Sequence, residues 1–162
     1  MNFPDFRARR MRRTEGLRRL MRENRLSVDN LCYPIFVTGG TNVEKPITSM
    51  PGQSVWSVDK AADVAARAYD AGIPAVILFG IPDKKDAVGS EAWSANGHVQ
   101  KAIRAIKKRC PELVVSADSC FCEYTDHGHC GVLHEGVLDN DASLENLART
   151  VLSYARAGAD IV

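Results

Sequence analysis

The sequence predicts a parallel α/β chain, the N-terminal half of a (β/α)8 barrel over residues 31–162, preceded by an extended basic arm over residues 1–30. Three observations predict it. Short apolar runs alternate with stretches whose apolar residues recur every three or four positions, the pattern of strand–helix–strand units. Tyr69–Ile77 and Tyr154–Val162 each run as helix end, glycine, strand start, so the unit repeats. No Gly-x-Gly-x-x-Gly turn follows any strand, which weighs against a dinucleotide-binding open sheet and favours the barrel half.

The arm comes first. Met1–Arg25 hold nine Arg against Asp5, Glu15 and Glu23, a net of +6, while the remainder carries −5, so the overall +1 conceals an opposed pair. Leu17, Leu20 and Met21 have helical spacing, but this apolar face is small for the charge beside it. The arm is therefore expected to be a tail or to dock on another surface. It has no interleaved aromatics and no nucleic-acid-binding fold signature follows it, so a protein partner is expected and not nucleic acid. It also lacks the apolar core of a secretory signal, and no Ser precedes Ser27 as a transit peptide would have, so the expected compartment is the cytosol. With 45% hydrophobic and 25% charged residues, the chain is neither disordered nor collagen-like, and no run approaches the ~20 apolar residues of a membrane span.

The barrel elements follow in order. Cys32–Val37 is a short apolar run bounded by Gly39 and Gly40 and is expected to be a buried strand. Ser57 is placed to cap a helix over Val58–Ala71, with apolar residues at 58, 61, 62, 65, 68 and 69 and Gly72 as its stop. Ala75–Phe79 is a continuous apolar strand expected to be buried on both faces. Val99, Ala102, Ile103 and Ile106 form the face of a second helix that ends in Lys107, Lys108 and Arg109, where cations suit the helix dipole. Leu113–Ala117 is the third strand. Asp141 or Ser143 is expected to cap a third helix whose inward face is Leu144, Leu147, Ala148, Val151, Leu152 and Ala155. Ala159–Val162 begins a fourth strand and the chain stops within it, so the chain is expected to be a fragment of a longer protein.

Chemistry concentrates in Asp118–Gly131, at the end of the third strand, the edge on which parallel α/β barrels place their sites. Five cysteines cannot all pair. Cys32 and Cys110 stand alone, while Cys120, Cys122 and Cys130 crowd into eleven residues. One residue separates Cys120 from Cys122, so in an extended segment both sulfurs point to one side, and Gly128 and Gly131 permit a loop that returns Cys130 to them. Three converging thiolates suit Zn2+, and three protein ligands leave a fourth position open, as in a catalytic site; the alternatives are one disulfide with a spare thiol, or three reduced and idle cysteines. A closed structural site would instead recruit His127 or His129, which the sequence allows. His129 could equally support a ligand or a substrate carboxylate, and either histidine could be a solvated loop residue. Asp118 is placed either for function at the strand end or as a cap of the following turn. His98 and His134 belong to no constellation and are expected at the surface.

Asp-x-Cys-x-Cys-x-Tyr-x3-Gly-His-Cys-Gly, at Asp118–Gly131, resembles the metal motif of zinc-type porphobilinogen synthase, also called 5-aminolevulinate dehydratase. The resemblance extends through Tyr33–Phe36, Met50–Gly52, Phe79–Ile81, Gly89–Ser90, Ala92–Trp93 and Asp139–Leu147, essentially the whole chain. It implies a (β/α)8 barrel with an N-terminal arm, assembled as a homo-octamer, that condenses two molecules of 5-aminolevulinate into porphobilinogen with loss of two waters, on the route to haem. It further implies Cys120, Cys122 and Cys130 as the zinc ligands and Asp118 as the acidic group beside them. The family's two Schiff-base lysines match nothing here. The seven lysines, at 45, 60, 84, 85, 101, 107 and 108, are expected in loops or on helix faces, none at a strand end. This polypeptide alone is therefore expected to be inactive. The alternative is a non-catalytic zinc-binding half-barrel module with a structural or assembly role.

Overall fold

In a computed structural model, which describes residues 2, 4–6 and 8–162, the central sheet comprises β1 (Cys32–Thr38), β2 (Glu44–Pro46), β3 (Ser54–Ser57), β4 (Ala75–Gly80) and β5 (Val114–Ala117). Its order is β2-β3-β1-β4-β5, with β3-β1-β4-β5 all parallel and β2 an antiparallel edge. Ile161 adds one parallel bridge to Ser116. Helices α2 (Val58–Asp70), α3 (His98–Arg109) and α4 (Asn140–Ala157) supply the crossovers. A separate hairpin, β6 (Val132–His134) with β7 (Val137–Asp139), precedes α4.

The core lies between the sheet and the helices. Ile35 and Val37 of β1, Val76 and Leu78 of β4, and Val115 of β5 are each 0% exposed and pack on Ala61, Ala65, Ile103 and Ile106. On α2 the buried stripe is Ala61, Ala62, Val64, Ala65 and Ala68; Val64 replaces the expected Tyr69, which is exposed. Lys107 Nζ reaches the carbonyls of Pro111 and Leu113 and the Asp160 carboxylate at 2.9 Å, pinning α3 to the ends of β5 and the last segment.

Several expectations are corrected. β4 is not buried on both faces: Val76 and Leu78 are sealed under the helices, but Ile77 and Phe79 are only half-buried. The reason is topological, since the opposite face of this sheet is concave and uncovered; Phe36 and Phe79 stack across it with centroids 5.2 Å apart. Ser57 occupies the N-cap position of α2 as expected, but its hydroxyl makes no capping bond to the helix and instead accepts the Val43 amide at 2.8 Å. The cap of α4 is Asp139, whose carboxylate accepts the Ala142 amide at 3.0 Å, and not Asp141 or Ser143. Ser143 instead accepts the Val132 amide and donates to the Asp139 carbonyl, joining the hairpin to the helix.

The buried face of α4 is also rotated from the apolar stripe. Asn146, Thr150, Tyr154 and Ala157 face inward, while Leu144 and Leu152 are about half exposed. The Thr150 hydroxyl donates to the Asn146 carbonyl at 3.0 Å and the Tyr154 and Tyr124 hydroxyls lie 3.4 Å apart, while beside this face Gln100 Nε2 donates to Ser153 Oγ and to the Ala92 carbonyl, both at 2.8 Å. The short strands β2, β3, β6 and β7 were not expected. Lys45 lies in β2, on an exposed edge, and not in a loop.

In the arm, α1 (Glu15–Leu20) is capped by Thr14 and buries nothing, with Leu20 73% exposed. Among the described residues up to Leu31, none is buried. Met1, Phe3 and Arg7, which belong to the expected arm, lie outside the described residues.

Candidate metal centre

The segment after β5 turns sharply at Asp118. Its amide donates to the Leu78 carbonyl at 3.0 Å, extending the β4–β5 ladder by one bond. By strand alternation its side chain shares the concave face with Ser116, and its carboxylate accepts the Cys120 amide at 3.3 Å. Asp118 thus caps the turn while remaining half-buried at the site edge.

A loop fold holds the cysteines together. Phe121 and Tyr124 are buried with Ala92 in a small second core against Trp93 and Leu147. Thr125 donates to the His129 carbonyl at 2.8 Å and closes the loop. The Asp86 amide donates to the Tyr124 carbonyl and Asp126 donates back to Asp86, so the 81–91 segment is stitched to the cysteine loop. Asp86 is itself anchored by the Val88 and Ser90 amides and the Ser90 hydroxyl, which together hold its carboxyl below the usual range against the opposing effect of burial. Gly131 is needed here: its φ is +140°, and a Cβ would run into the Ser143 hydroxyl.

Cys120, Cys122 and Cys130 converge, all three sulfurs lying within 4.8 Å of one another, with Cys120 Sγ 3.5 Å from Cys130 Sγ. Zn–S bonds of about 2.3 Å in a tetrahedron put sulfurs about 3.8 Å apart, so the set fits zinc with small side-chain adjustments. The Phe121 amide donates to Cys130 Sγ at 3.2 Å. Burial, with Cys122 and Cys130 close by, pushes the Cys120 thiol up to about 12. At neutral pH the metal-free site therefore holds a proton there that a cation must displace. Zinc affinity is expected to climb with pH across the neutral range, about tenfold per pH unit for each proton displaced, in a competition titration at several pH values.

The cysteine cluster contains no histidine. His127 is fully engaged: Nε2 lies 3.2 Å from the Ala87 carbonyl and Nδ1 accepts the His129 amide at 3.1 Å. His129 stacks on His127 at 5.6 Å and is exposed. Beside the cluster, Cys130, Phe121, Leu138 and Leu147 help line a mainly apolar cavity of about 190 Å³. Two buried tyrosines lie nearby, with hydroxyls 3.4 Å apart; burial raises both, Tyr154 to about 12, so both stay neutral. Tyr124 was not singled out from the sequence beyond its place in the motif, and Tyr154 only as a helix end. His134 is exposed as expected, but His98 is not a surface residue without a constellation: it sits half-buried between Asp83 and Glu91. Of the lysines near the site, Lys85 is 3.9 Å from Glu123 in the cysteine loop.

The sheet and the three sulfurs define a parallel α/β half-barrel with a loop of three converging cysteines at the C-terminal edge of a strand. A sequence model described as Delta-aminolevulinic acid dehydratase matches residues 5–162. The chain belongs to the delta-aminolevulinic acid dehydratase family, porphobilinogen synthase. It is 51% identical to the Synechocystis sp. delta-aminolevulinic acid dehydratase, over 99% of this chain and 50% of that protein. It is 49% identical to the Bacillus subtilis protein of that name, over 96% of this chain and 48% of that protein. A crystal structure of the Toxoplasma gondii enzyme in complex with its reaction product porphobilinogen superposes with a TM-score of 0.88 at 34% identity, covering 96% of this chain and 45% of that one. The fold class is therefore half of the family's barrel, and the chain spans about half the length of these curated relatives.

Proposed function

We propose that this chain provides the zinc-binding half of a porphobilinogen synthase, which condenses two molecules of 5-aminolevulinate into porphobilinogen with release of two waters. The observation that carries the reading is the convergence of Cys120, Cys122 and Cys130 at the C-terminal end of β5 in a chain of this family. Zinc held there supplies Lewis-acid polarisation of a substrate oxygen. Cys120, Cys122 and Cys130 bind the cation and leave a fourth position open. Asp118, on the concave face beside them, moves a proton at its carboxylate, and His129 supports the site from its rim. The neutral Tyr124 and Tyr154 back the cysteine loop.

The covalent half of the reaction needs a lysine that forms a Schiff base with a ketone, and Lys45, Lys60 and Lys107 stand in no position for that role. Lys107 is tied to Asp160, Lys60 lies near Glu44, and Lys45 stands on an edge strand. That observation favours a second reading for this polypeptide alone, a zinc-binding half-barrel without turnover. Incubation with zinc and 5-aminolevulinate followed by borohydride trapping is expected to give no lysine adduct and no porphobilinogen. Co-expression with the C-terminal half of the Synechocystis sp. relative is expected to give turnover that Cys130→Ser removes. A site-specific adduct on Lys84 or Lys85 with product formed by this chain alone would overturn the division of labour; no turnover in the paired halves would favour the non-catalytic module.

The arm is the assembly element of this reading, docking on an acidic surface of a neighbouring copy in a homo-octamer. Because its described residues bury nothing, deleting residues 1–25 should change fold stability by no more than about 0.5 kcal/mol in a denaturant titration. Light scattering of the assembled protein should report a smaller particle after the same deletion; an unchanged particle would make the arm a solvated tail.

A further inference from the structure

We propose a second metal site, formed by Asp83, Glu91 and His98, that takes a divalent first-row cation of the oxygen- and imidazole-seeking kind. His98 Nε2 lies 3.1 Å from Asp83 Oδ2 and 3.3 Å from Glu91 Oε1, and the three donor atoms fall within 4.8 Å of one another. The ring nitrogen has no accessible surface and no hydrogen-bond partner: neither carboxylate oxygen lies where an N–H on Nε2 would point. If the proton sits on Nδ1 instead, the Nε2 lone pair faces two anionic oxygens. With the proton on Nδ1 a cation between the three groups resolves the mismatch, accepting the Nε2 lone pair and neutralising the carboxylates; from the other tautomer, binding first moves the Nε2 proton to Nδ1.

The spacing suits such a cation. With metal–ligand bonds of about 2.1 Å, neighbouring donors stand about 3.4 Å apart in a tetrahedron and about 3.0 Å apart in an octahedron. The observed 3.1 and 3.3 Å fall between those values. One imidazole and two carboxylates are donors for Mn2+ or Zn2+ and carry no thiolate to select a softer ion.

The surrounding backbone is shaped to hold the group. The Lys84 amide lies 3.5 Å from Glu91 Oε2, which leaves Oε1 turned to His98. Glycine at residue 39 lets both side chains approach, since a Cβ there would stand 2.8 Å from Asp83 Oδ1 and 2.9 Å from His98 Cε1. The site lies beyond the ends of β1 and β4, at the same edge of the sheet as the cysteine loop. It clamps the 81–91 segment to the start of α3, and that segment is hydrogen-bonded to the cysteine loop through Asp86. The cation thus stiffens the support of the thiolate centre without being part of it.

The test uses the full chain with Cys120, Cys122 and Cys130 all changed to Ser, so the thiolate centre cannot contribute and its failure stays distinguishable. Mn2+ alone is the probe, titrated by electron paramagnetic resonance, with the thermal midpoint as a second readout. The expected result is one Mn2+ per chain, a midpoint that rises with Mn2+, and at least a tenfold weaker affinity in each of Asp83→Asn, Glu91→Gln and His98→Asn. Asp83 carries a side chain 69% exposed, so Asp83→Asn leaves the circular dichroism unchanged and isolates ligation from folding. Absence of stoichiometric binding below millimolar Mn2+ would overturn the site. Binding that survives both Asp83→Asn and Glu91→Gln would overturn it equally.

Discussion

Changing Cys120, Cys122 and Cys130 together to Ser should abolish the thiolate-to-metal absorption expected of the Co2+-loaded chain. Zinc and cobalt bind thiolate strongly, and the three sulfurs are the whole protein donor set of this centre. A serine hydroxyl neither ionises near neutral pH nor offers a soft donor, so the substitution removes charge and ligand at once. A single Cys130→Ser change should already cost more than the about 10–100-fold in affinity that follows loss of a supporting hydrogen bond to a ligand. It also deletes the acceptor of the Phe121 amide. Retention of the absorption band in the triple variant would remove the thiolate assignment. The far-ultraviolet circular dichroism should stay close to that of the parent chain, because Cys130 is exposed and the main core lies behind the sheet.

Gly80→Ala should destabilise the chain by about 1–3 kcal/mol, the cost of forcing a methyl into a packed core. A Cβ at residue 80 would run into the Tyr124 hydroxyl and stand 2.8 Å from Val99 Cγ2. For a domain of this size, that corresponds to a fall of about 5 °C in the thermal midpoint. The effect should reach the metal as well. Tyr124 is the pivot of the small core under the cysteines, and its carbonyl accepts the Asp86 amide. Tyr124→Phe in the same chain removes the atom that the methyl meets first, so the double variant should be less destabilised than the sum of the two single changes. Simple additivity in a denaturant titration would mean that Val99, and not Tyr124, sets the limit at residue 80.

The cysteine cluster was legible because its information is local. Alternation puts Cys120 and Cys122 on one side, glycines permit the return of Cys130, and each thiolate needs only the other two. Asp118 was legible as a strand-end carboxylate for the same reason, although its hydrogen bond to the Cys120 amide shows the turn-capping role directly. His98 was not legible. Its partners lie seven and fifteen residues earlier in sequence, and Gly39, just past the end of β1, leaves room for the His98 and Asp83 side chains to meet.

The same division separates the elements. The identities of β1, β4 and β5 and of helices α2, α3 and α4 followed from the sequence alone, because apolar periodicity of two or three to four residues is a property of the chain itself. The motif and its neighbours likewise determined the family. Tertiary structure decided which faces those elements bury. Helix α4 turns Asn146, Thr150 and Tyr154 inward and leaves Leu144 and Leu152 half exposed; Thr150 satisfies its hydroxyl on the Asn146 carbonyl within the helix, and Tyr124, which no local pattern reveals, supplies the partner of the Tyr154 hydroxyl. It also decided the helix caps. Asp139 prevails over Asp141 and Ser143 because the β6–β7 hairpin delivers it at the first turn with its carboxylate on the Ala142 amide, while the Val132 amide claims the Ser143 hydroxyl. A cap or a buried polar group is chosen by whichever partner the fold brings within about 3 Å, and that distance is set by the packing of elements far apart in the chain.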